Sequence, residues 1–167
     1  MRVRIERPDD FAAVRAINRA AFGMDAEADL VDQLRGEASS IISLVGEDAG
    51  EVVGHILFSP VTLAGHDALP IAGLAPMAVL PARQRTGIGH ALVNAGLAAC
   101  RDHGFVAVVV LGHPGYYPRF GFRRASEFGL ACEFEVPDEA FMALEVQDAA
   151  LRNRQGTIHY HPLFSTV

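Results

Sequence analysis

The chain has 167 residues, of which 50% are hydrophobic and 20% are charged. This length and composition are typical of one domain, spanning residues 1–167, with a substantial buried core, and they exclude a disordered protein. The 14 basic and 20 acidic residues give a formal net charge of −6, which argues against a nucleic-acid-binding protein that relies on general attraction to phosphates. All the basic residues are arginine, so a GxxxxGKS/T phosphate-binding loop and a lysine Schiff base are both excluded.

The sequence also bears on the compartment in which the protein works. No apolar run approaches the roughly 20 residues that span a bilayer. The opening segment MRVRIERPDD is not followed by the apolar stretch of a signal peptide. We therefore expect a cytoplasmic protein with no membrane partner. Cys100 and Cys132 are far apart and form no CxxC pair, so we expect two buried free thiols rather than a disulfide.

Hydrophobic periodicity predicts a strand, two helices and three further strands in the first half of the chain. These are a strand around residues 3–5, helices at about 10–21 and 27–35, and strands at 40–45, 52–63 and 71–79. Gly23 separates the two helices, and the segment 47–50 (EDAG) is typical of a hairpin turn.

The second half of the chain contains the clearest pattern. A helix is predicted at residues 86–102, and FVAVVVLG at residues 105–112 is typical of a strand buried on both faces. A strand, a helix and a second strand in this order form a βαβ crossover, so the strands at 71–79 and 105–112 should be parallel. Two late strands are predicted at 140–146 and 157–160. The predicted fold class is α/β or α+β with a mixed sheet.

The turn before the helix at 86–102, PARQRTGIGHALV, contains two glycines one residue apart. Glycine lets backbone N–H groups approach a phosphate closely, and a helix N-terminus favours an anion. A dinucleotide fingerprint needs a third glycine where Leu92 stands, which argues against a Rossmann domain. Gln84-x-x-Gly87-x-Gly89, with Arg83 and Arg85 beside it, indicates a diphosphate site; an ordinary strand-to-helix turn is the alternative.

This turn resembles the acyl-CoA motif Q/R-x-x-G-x-G/A of the GNAT family of N-acetyltransferases. YYPRFGF at residues 116–122 resembles the family's F/Y-Y-x-x-x-G-F element after the fifth strand, and the segments GHILFSPV and LGHPGYYPRFGF are similar to those of its YhbS-like subgroup. The resemblance covers nearly the whole chain. It implies the GNAT fold, a mixed and mostly antiparallel sheet with a central splayed pair of parallel strands flanked by helices, and acetyl-CoA as cosubstrate without a metal.

The same resemblance implies which residues bind the donor. The pantetheine arm would lie along Met77, Ala78 and Val79, at a bulge beside Pro76. The implied pyrophosphate loop consists of Gln84, Arg85, Thr86, Gly87, Ile88, Gly89 and His90, and His113 and Tyr116 complete the cofactor-binding residues. Tyr117 occupies the family position of the general acid that protonates the leaving thiolate, and main-chain N–H near Val79 is the implied oxyanion donor.

The general base is left open by the sequence. Some family members carry a glutamate on the fourth strand, but residues 74–79 contain no acid. The candidates are a water relay, His55, or an acid of the region of the first two helices. The acids of that region, Asp25, Glu27 and Asp29, are candidate contacts of a cationic substrate; a solvated helix start is the alternative. Two other groups of residues are expected to be structural: His159 and His161 are too few for a metal site, and Phe134, Phe141 and Phe164 are expected in the core.

The predicted reaction is acetyl transfer from acetyl-CoA to a primary amine of a small molecule. Direct attack in a ternary complex is expected, because neither cysteine matches a nucleophile position of the family. A non-catalytic CoA-binding module and acetylation of a peptide or protein amine are the alternatives. A homodimer formed through the late strands is implied by the resemblance alone.

Overall fold

The computed structural model describes residues 1–166 and contains three α-helices, several short 3₁₀ helices and nine strands within them. The helices are α1 (Phe11–Phe22), α2 (Ala26–Glu37) and α3 (Ile88–Asp102). The strands are β1 (Arg2–Ile5), β2 (Ile42–Asp48), β3 (Glu51–Leu63), β4 (Ile71–Val79), β5 (Ala107–Leu111), β6 (Arg123–Arg124), β7 (Leu130–Cys132), β8 (Phe141–Glu145) and β9 (Gly156–His159).

The sheet has the order β1-β2-β3-β4-β5-β8-β6. Neighbouring strands in this path are antiparallel except β4 and β5, which are parallel, as the crossover through α3 requires. Strand β9 pairs antiparallel with the end of β3 and parallel with β7. The predicted mixed sheet, mostly antiparallel with a central parallel pair and flanked by helices, is confirmed.

The sheet separates two apolar layers. One layer packs against α1 and α2 and includes Val14, Leu34 and Leu57; the other packs against α3 and includes Phe58 and Leu92. The phenylalanines expected in the core belong to the α1–α2 layer: Phe141 and Phe164 are buried, and Phe134 is half-buried against them.

Strand β4 contains a bulge next to Pro76. Ile56 of β3 faces Met77, whereas Phe58 faces Leu74, so two residues of β3 span three of β4. On its other side, β4 pairs with β5 only as far as Leu74 and Val110. Beyond this point the two strands separate, and a gap opens in the middle of the sheet.

The two cysteines differ in exposure. Cys100 is buried and burial raises its pKa to about 12, but Cys132 is only partly buried, because β7 lies near the edge of the sheet; both thiols are free. Among residues 1–166 no helix has the length and apolar character needed to cross a membrane.

Candidate functional site

A cavity of about 720 Å³ lies at the open end of the gap between β4 and β5. It is lined by Ala21, Phe22, Met77, Ala78, Val79, Gln84, Arg85, Gly87, Gly89, His90, His113, Tyr116 and Arg119. All of these except Ala21, Phe22 and Arg119 are residues that the sequence predicted for donor binding. The cavity therefore brings together the end of β4, the start of α3 and the loop after β5.

The loop before α3 can adopt its shape because of its glycine. Gly87 has φ +91° and immediately precedes the helix, which therefore begins at Ile88 and not at residue 86. The first N–H groups of a helix have no partner within the helix, so the start of α3 offers donors to an anion in the cavity. Gln84 Nε2 donates to the carbonyl of Val79 at 3.1 Å and ties the loop to the end of β4.

Two predicted loop residues face away from the cavity. Thr86 is exposed, and its hydroxyl donates to the carbonyl of Arg83 at 2.6 Å. The side chain of Ile88 is buried in the layer between α3 and the sheet. These two positions can therefore contribute to a ligand only through their backbone.

The arginines of the site differ from the expected pair. Arg83 is bonded to Asp48, which neutralises its charge. Arg119 lines the cavity instead, together with Arg85. The Nε of Arg119 donates to the carbonyl of Tyr116 at 2.8 Å, and the Arg119 guanidinium lies 4.5 Å from the centre of the Tyr116 ring. No pattern in the sequence singled out Arg119 as a site residue, although it stands within YYPRFGF.

The main chain of β4 presents polar groups to the gap. The N–H of Leu80 donates to the carbonyl of Val53 on β3 at 3.0 Å. Because successive residues of a strand direct their N–H groups to opposite sides, the N–H of Val79 points away from β3 and into the gap. A donor therefore lies where a ligand passing between β4 and β5 would meet it.

The two tyrosines of YYPRFGF have different surroundings. Tyr116 lines the cavity, with its hydroxyl 3.1 Å from the position of a Cβ built at Gly89. Tyr117 is buried behind it, edge-on to the Tyr116 ring at 5.1 Å between centroids. Burial raises the pKa of both phenols, that of Tyr117 to about 12, so each keeps its proton at neutral pH.

His55 does not reach the cavity. It is fully buried, with Ser43 Oγ 2.8 Å from Nε2 and Asn18 Nδ2 3.3 Å from Nδ1. Desolvation, helped by the charge of Arg35, lowers its pKa to about 3. His55 is therefore a neutral core residue that links β3 to α1 and β2, and the geometry removes it from the candidate bases.

The acids of the first two helices also lie outside the cavity lining. Asp25 pairs with Arg19 at 2.5 Å, and Asp29 pairs with Arg15 at 2.8 Å. One carboxylate oxygen of Glu27 is buried without a hydrogen-bond partner. None of the three is placed by this geometry to take a proton from a ligand in the cavity.

The late histidines are engaged with the protein itself. His159 Nδ1 lies 3.2 Å from Glu133, and His161 Nδ1 accepts a hydrogen bond from the N–H of Leu163. In the part of the chain that the structure describes, no three His, Cys, Asp or Glu side chains are grouped to hold a metal ion.

Comparison with known proteins identifies relatives of the whole chain. The family model of the acetyltransferase (GNAT) domain matches residues 2–125. YhbS of Escherichia coli strain K12, an uncharacterised N-acetyltransferase, is 38% identical over 166 residues, which cover 99% of each chain.

Solved structures agree with the sequence relatives. Escherichia coli YhbS in complex with CoA has a TM-score of 0.91 and 38% identity, covering 98% of this chain and 91% of that one. A GNAT family acetyltransferase from Brucella melitensis in complex with acetyl-CoA has a TM-score of 0.80 and 38% identity, covering 98% and 97%. The full-length likeness in sequence and in fold, together with the family model, shows that this chain belongs to the GNAT family of N-acetyltransferases.

Proposed function

We propose that the protein transfers the acetyl group of acetyl-CoA to a primary amine of a small molecule. The observation that carries this proposal is the 720 Å³ cavity that joins the N-terminus of α3 to the open gap between β4 and β5. The CoA complex of YhbS and the acetyl-CoA complex of the Brucella protein support the same donor for this chain.

The donor would bind through backbone groups and arginines. The pyrophosphate would accept hydrogen bonds from the main-chain amides of residues 85–89 at the start of α3, with Arg85 and Arg119 supplying positive charge. The pantetheine arm would enter the gap and pair with the main chain of Met77 to Val79, where β5 no longer occupies that edge of β4.

The chemistry needs positioning more than reactive side chains. The amine nitrogen attacks the thioester carbonyl, the C–N bond forms, and the tetrahedral oxyanion accepts a hydrogen bond from the N–H of Val79. The C–S bond then breaks, and the CoA thiolate takes up a proton. Tyr117, at the family position of the general acid, would donate this proton to a sulfur that enters the gap far enough to reach its hydroxyl behind Tyr116. Direct attack is favoured because Cys100 is buried as a neutral thiol and neither cysteine lines the cavity.

The proton lost by the amine would leave through water. In the described range, residues 1–166, no carboxylate lines the donor cavity, and His55 is enclosed in the core. A water relay is therefore the base candidate that the surroundings favour. The amine must reach the thioester in its neutral form.

The decisive experiment is a thiol-release assay with acetyl-CoA and a panel of amines, using Tyr117→Phe and Tyr116→Phe as a matched pair. Tyr117→Phe should lower kcat by about 100-fold, in the range of general acid catalysis, with the Kd of acetyl-CoA unchanged. Tyr116→Phe removes the hydroxyl that lines the cavity and should retain most of kcat; a loss of kcat in this variant alone would assign the proton donor to Tyr116. If Tyr117→Phe transfers acetyl groups normally, the assignment of the acid is wrong. If CoA binds but no amine consumes acetyl-CoA, the protein is a binding module.

A further inference from the structure

A second cavity, of about 530 Å³, lies at the closed end of the gap between β4 and β5. We call it the aromatic pocket; it is lined by Leu74, Ala75, Leu111, Phe134, Tyr160, Phe164 and Ser165. The ring of Tyr160 lies between Phe134 at 5.8 Å and Phe164 at 5.4 Å, measured between centroids. Six of the seven residues that form its wall are thus aliphatic or aromatic, and none carries a charge.

The aromatic pocket borders the same two strands as the donor cavity. Leu74 is the last residue of β4 that pairs with β5, and the donor cavity begins at Met77 on the same strand. Ala75 and Ala78 are three residues apart, which corresponds to about 10 Å along a strand. Leu111 of β5 is likewise two residues before His113 of the donor cavity. A molecule in the aromatic pocket is therefore within reach of a thioester held in the gap.

The pocket wall also contains one unsatisfied polar group. Tyr160 is only 8% exposed, and its hydroxyl has no hydrogen-bond partner among the residues that the structure describes. Buried hydroxyls are usually satisfied, because leaving one unpaired is costly. Burial raises the pKa of Tyr160 and keeps the hydroxyl protonated. A polar substituent on an otherwise apolar ligand would therefore gain a hydrogen bond here, in addition to the apolar contacts.

Ser165 is the exposed residue of the pocket lining. The pocket shares no lining residue with the donor cavity. A compound in the pocket therefore occupies space that is separate from the proposed CoA site. The uncharged wall also favours an amine in its neutral form, which is the form that attacks a thioester.

We propose that the aromatic pocket binds the acceptor, and that the acceptor is a primary amine carried on an apolar body about the size of an aromatic ring. The inference rests on the proposed function, because it assumes that the gap holds a thioester. The apolar body packs against Phe134, Tyr160 and Phe164, and the amine points along β4 toward the donor cavity.

The test compares kcat/KM with acetyl-CoA for phenethylamine and cyclohexylmethylamine against ethanolamine and spermidine. Apolar contacts in a pocket commonly change kcat/KM by 10-fold or more per small group, so the first two amines should be favoured by about 10-fold or more. Ser165→Phe, which places a ring at the exposed part of the pocket lining, should reduce kcat/KM for phenethylamine at least about fivefold. Ser126→Phe, an exposed serine outside the pocket lining, should leave it unchanged.

A second measurement separates this inference from the proposed function. Phenethylamine is titrated calorimetrically into the CoA-bound protein and into its Ser165→Phe variant. If phenethylamine binds and the Ser165→Phe variant binds it more weakly, the pocket assignment is supported, even if no amine is acetylated. The absence of acetylation would overturn only the proposed function. Preference for ethanolamine or spermidine would overturn the pocket assignment and leave acetyl transfer standing. Faster turnover of octanoyl-CoA than acetyl-CoA, without preference for apolar amines, would assign the pocket to the acyl chain and also overturn the inference.

Discussion

The ring of Tyr117 lies directly against the backbone of Gly112, so closely that a Cβ built at Gly112 would come within 2.2 Å of the ring Cε2. Gly112 follows the last residue of β5, at the edge of the gap in the sheet. The absence of a side chain at this position therefore sets where the Tyr117 ring lies relative to the end of β5.

Gly112→Ala should displace the Tyr117 ring and reduce acetyl transfer. We expect kcat to fall about 10-fold or more, because the proton donor no longer meets the thiolate, and the free energy of unfolding to fall by about 1–3 kcal/mol from overpacking. Gly115→Ala is the matched control, since a Cβ there meets nothing within 4 Å. Thiol release and urea denaturation of both variants check this prediction; equal activity in the two would contradict it.

The second prediction concerns the turn that begins α3. Gly87→Ala places a side chain at φ +91° and should distort the amides of the pyrophosphate loop, raising the Kd of acetyl-CoA severalfold. Gly65→Ala introduces the same kind of strain at φ +84° in the turn between β3 and β4, with open space around it. Each should cost about 1 kcal/mol of stability.

Calorimetric titration with acetyl-CoA separates the two glycine variants. Only Gly87→Ala should change the Kd, because only its turn lines the donor cavity. An unchanged Kd in Gly87→Ala, with the expected loss of stability, would show that the loop does not bind the donor.

The third prediction is an acid-dependent contribution to stability from Asp10. Its carboxylate accepts hydrogen bonds from Arg4 at 2.7 and 3.0 Å and from the N–H of Arg7 at 2.7 Å, and the Arg4 guanidinium above all lowers the pKa to about 2. A depressed carboxyl pKa stabilises the fold above the unfolded value near 4 and loses that effect as the pH falls toward 2.

Asp10→Asn should therefore lower the free energy of unfolding by about 2 kcal/mol at pH 7. The difference from the unmodified protein should shrink as the pH is lowered from 4 to 2.5. Urea denaturation across this pH range measures the difference in free energy of unfolding. The control is Asp9→Asn, at the exposed neighbouring position, for which this difference should stay near zero. A difference that does not change with pH would contradict the ion-pair explanation.

The fourth prediction uses the buried imidazole of His55. Its pKa of about 3 in the folded protein lies below the ordinary value of 6.5, so the unfolded chain binds a proton that the folded chain does not. The free energy of unfolding should therefore not depend on His55 protonation above pH 6.5. Below pH 6.5 it should fall by about 1.4 kcal/mol per pH unit.

His55→Gln should remove this slope between pH 6.5 and pH 5, whatever its effect on stability at pH 7. The slope is therefore the measurement to use, because loss of the contacts with Ser43 and Asn18 changes the absolute stability as well. An unchanged slope in the variant would show that another group binds the proton.

Much of the fold follows from local pattern. The helix at α3 and the strand at β5 were predicted because apolar residues repeat with helical spacing in one and run without interruption in the other. The parallel pairing of β4 and β5 then follows from the short crossover between them. Strands β6 and β7 were missed because two or three residues are too few to show a period.

Some features of the candidate site could likewise be predicted from the sequence, and others depend on the fold. The loop around Gly87 could be identified from the sequence, since its glycines and the helix start are adjacent in the chain. Two other features could not be identified from the sequence: the ion pair of Arg83 with Asp48, and the position of Arg119 over Tyr116 at the cavity wall. Which of two adjacent tyrosines lines the cavity depends on the short helical turn at Tyr117–Phe120 and on the packing around Gly112.

The sequence by itself determined the family, the order of the main elements and the turn that would hold a pyrophosphate, because these depend on residues that are neighbours in the chain. Only the tertiary structure decided that His55 is enclosed in the core and that Phe134, Tyr160 and Phe164 form a pocket with Leu74 and Leu111. The physical reason is that the walls of a cavity come from segments far apart in the sequence. Their side chains meet only when the sheet and its helices pack together.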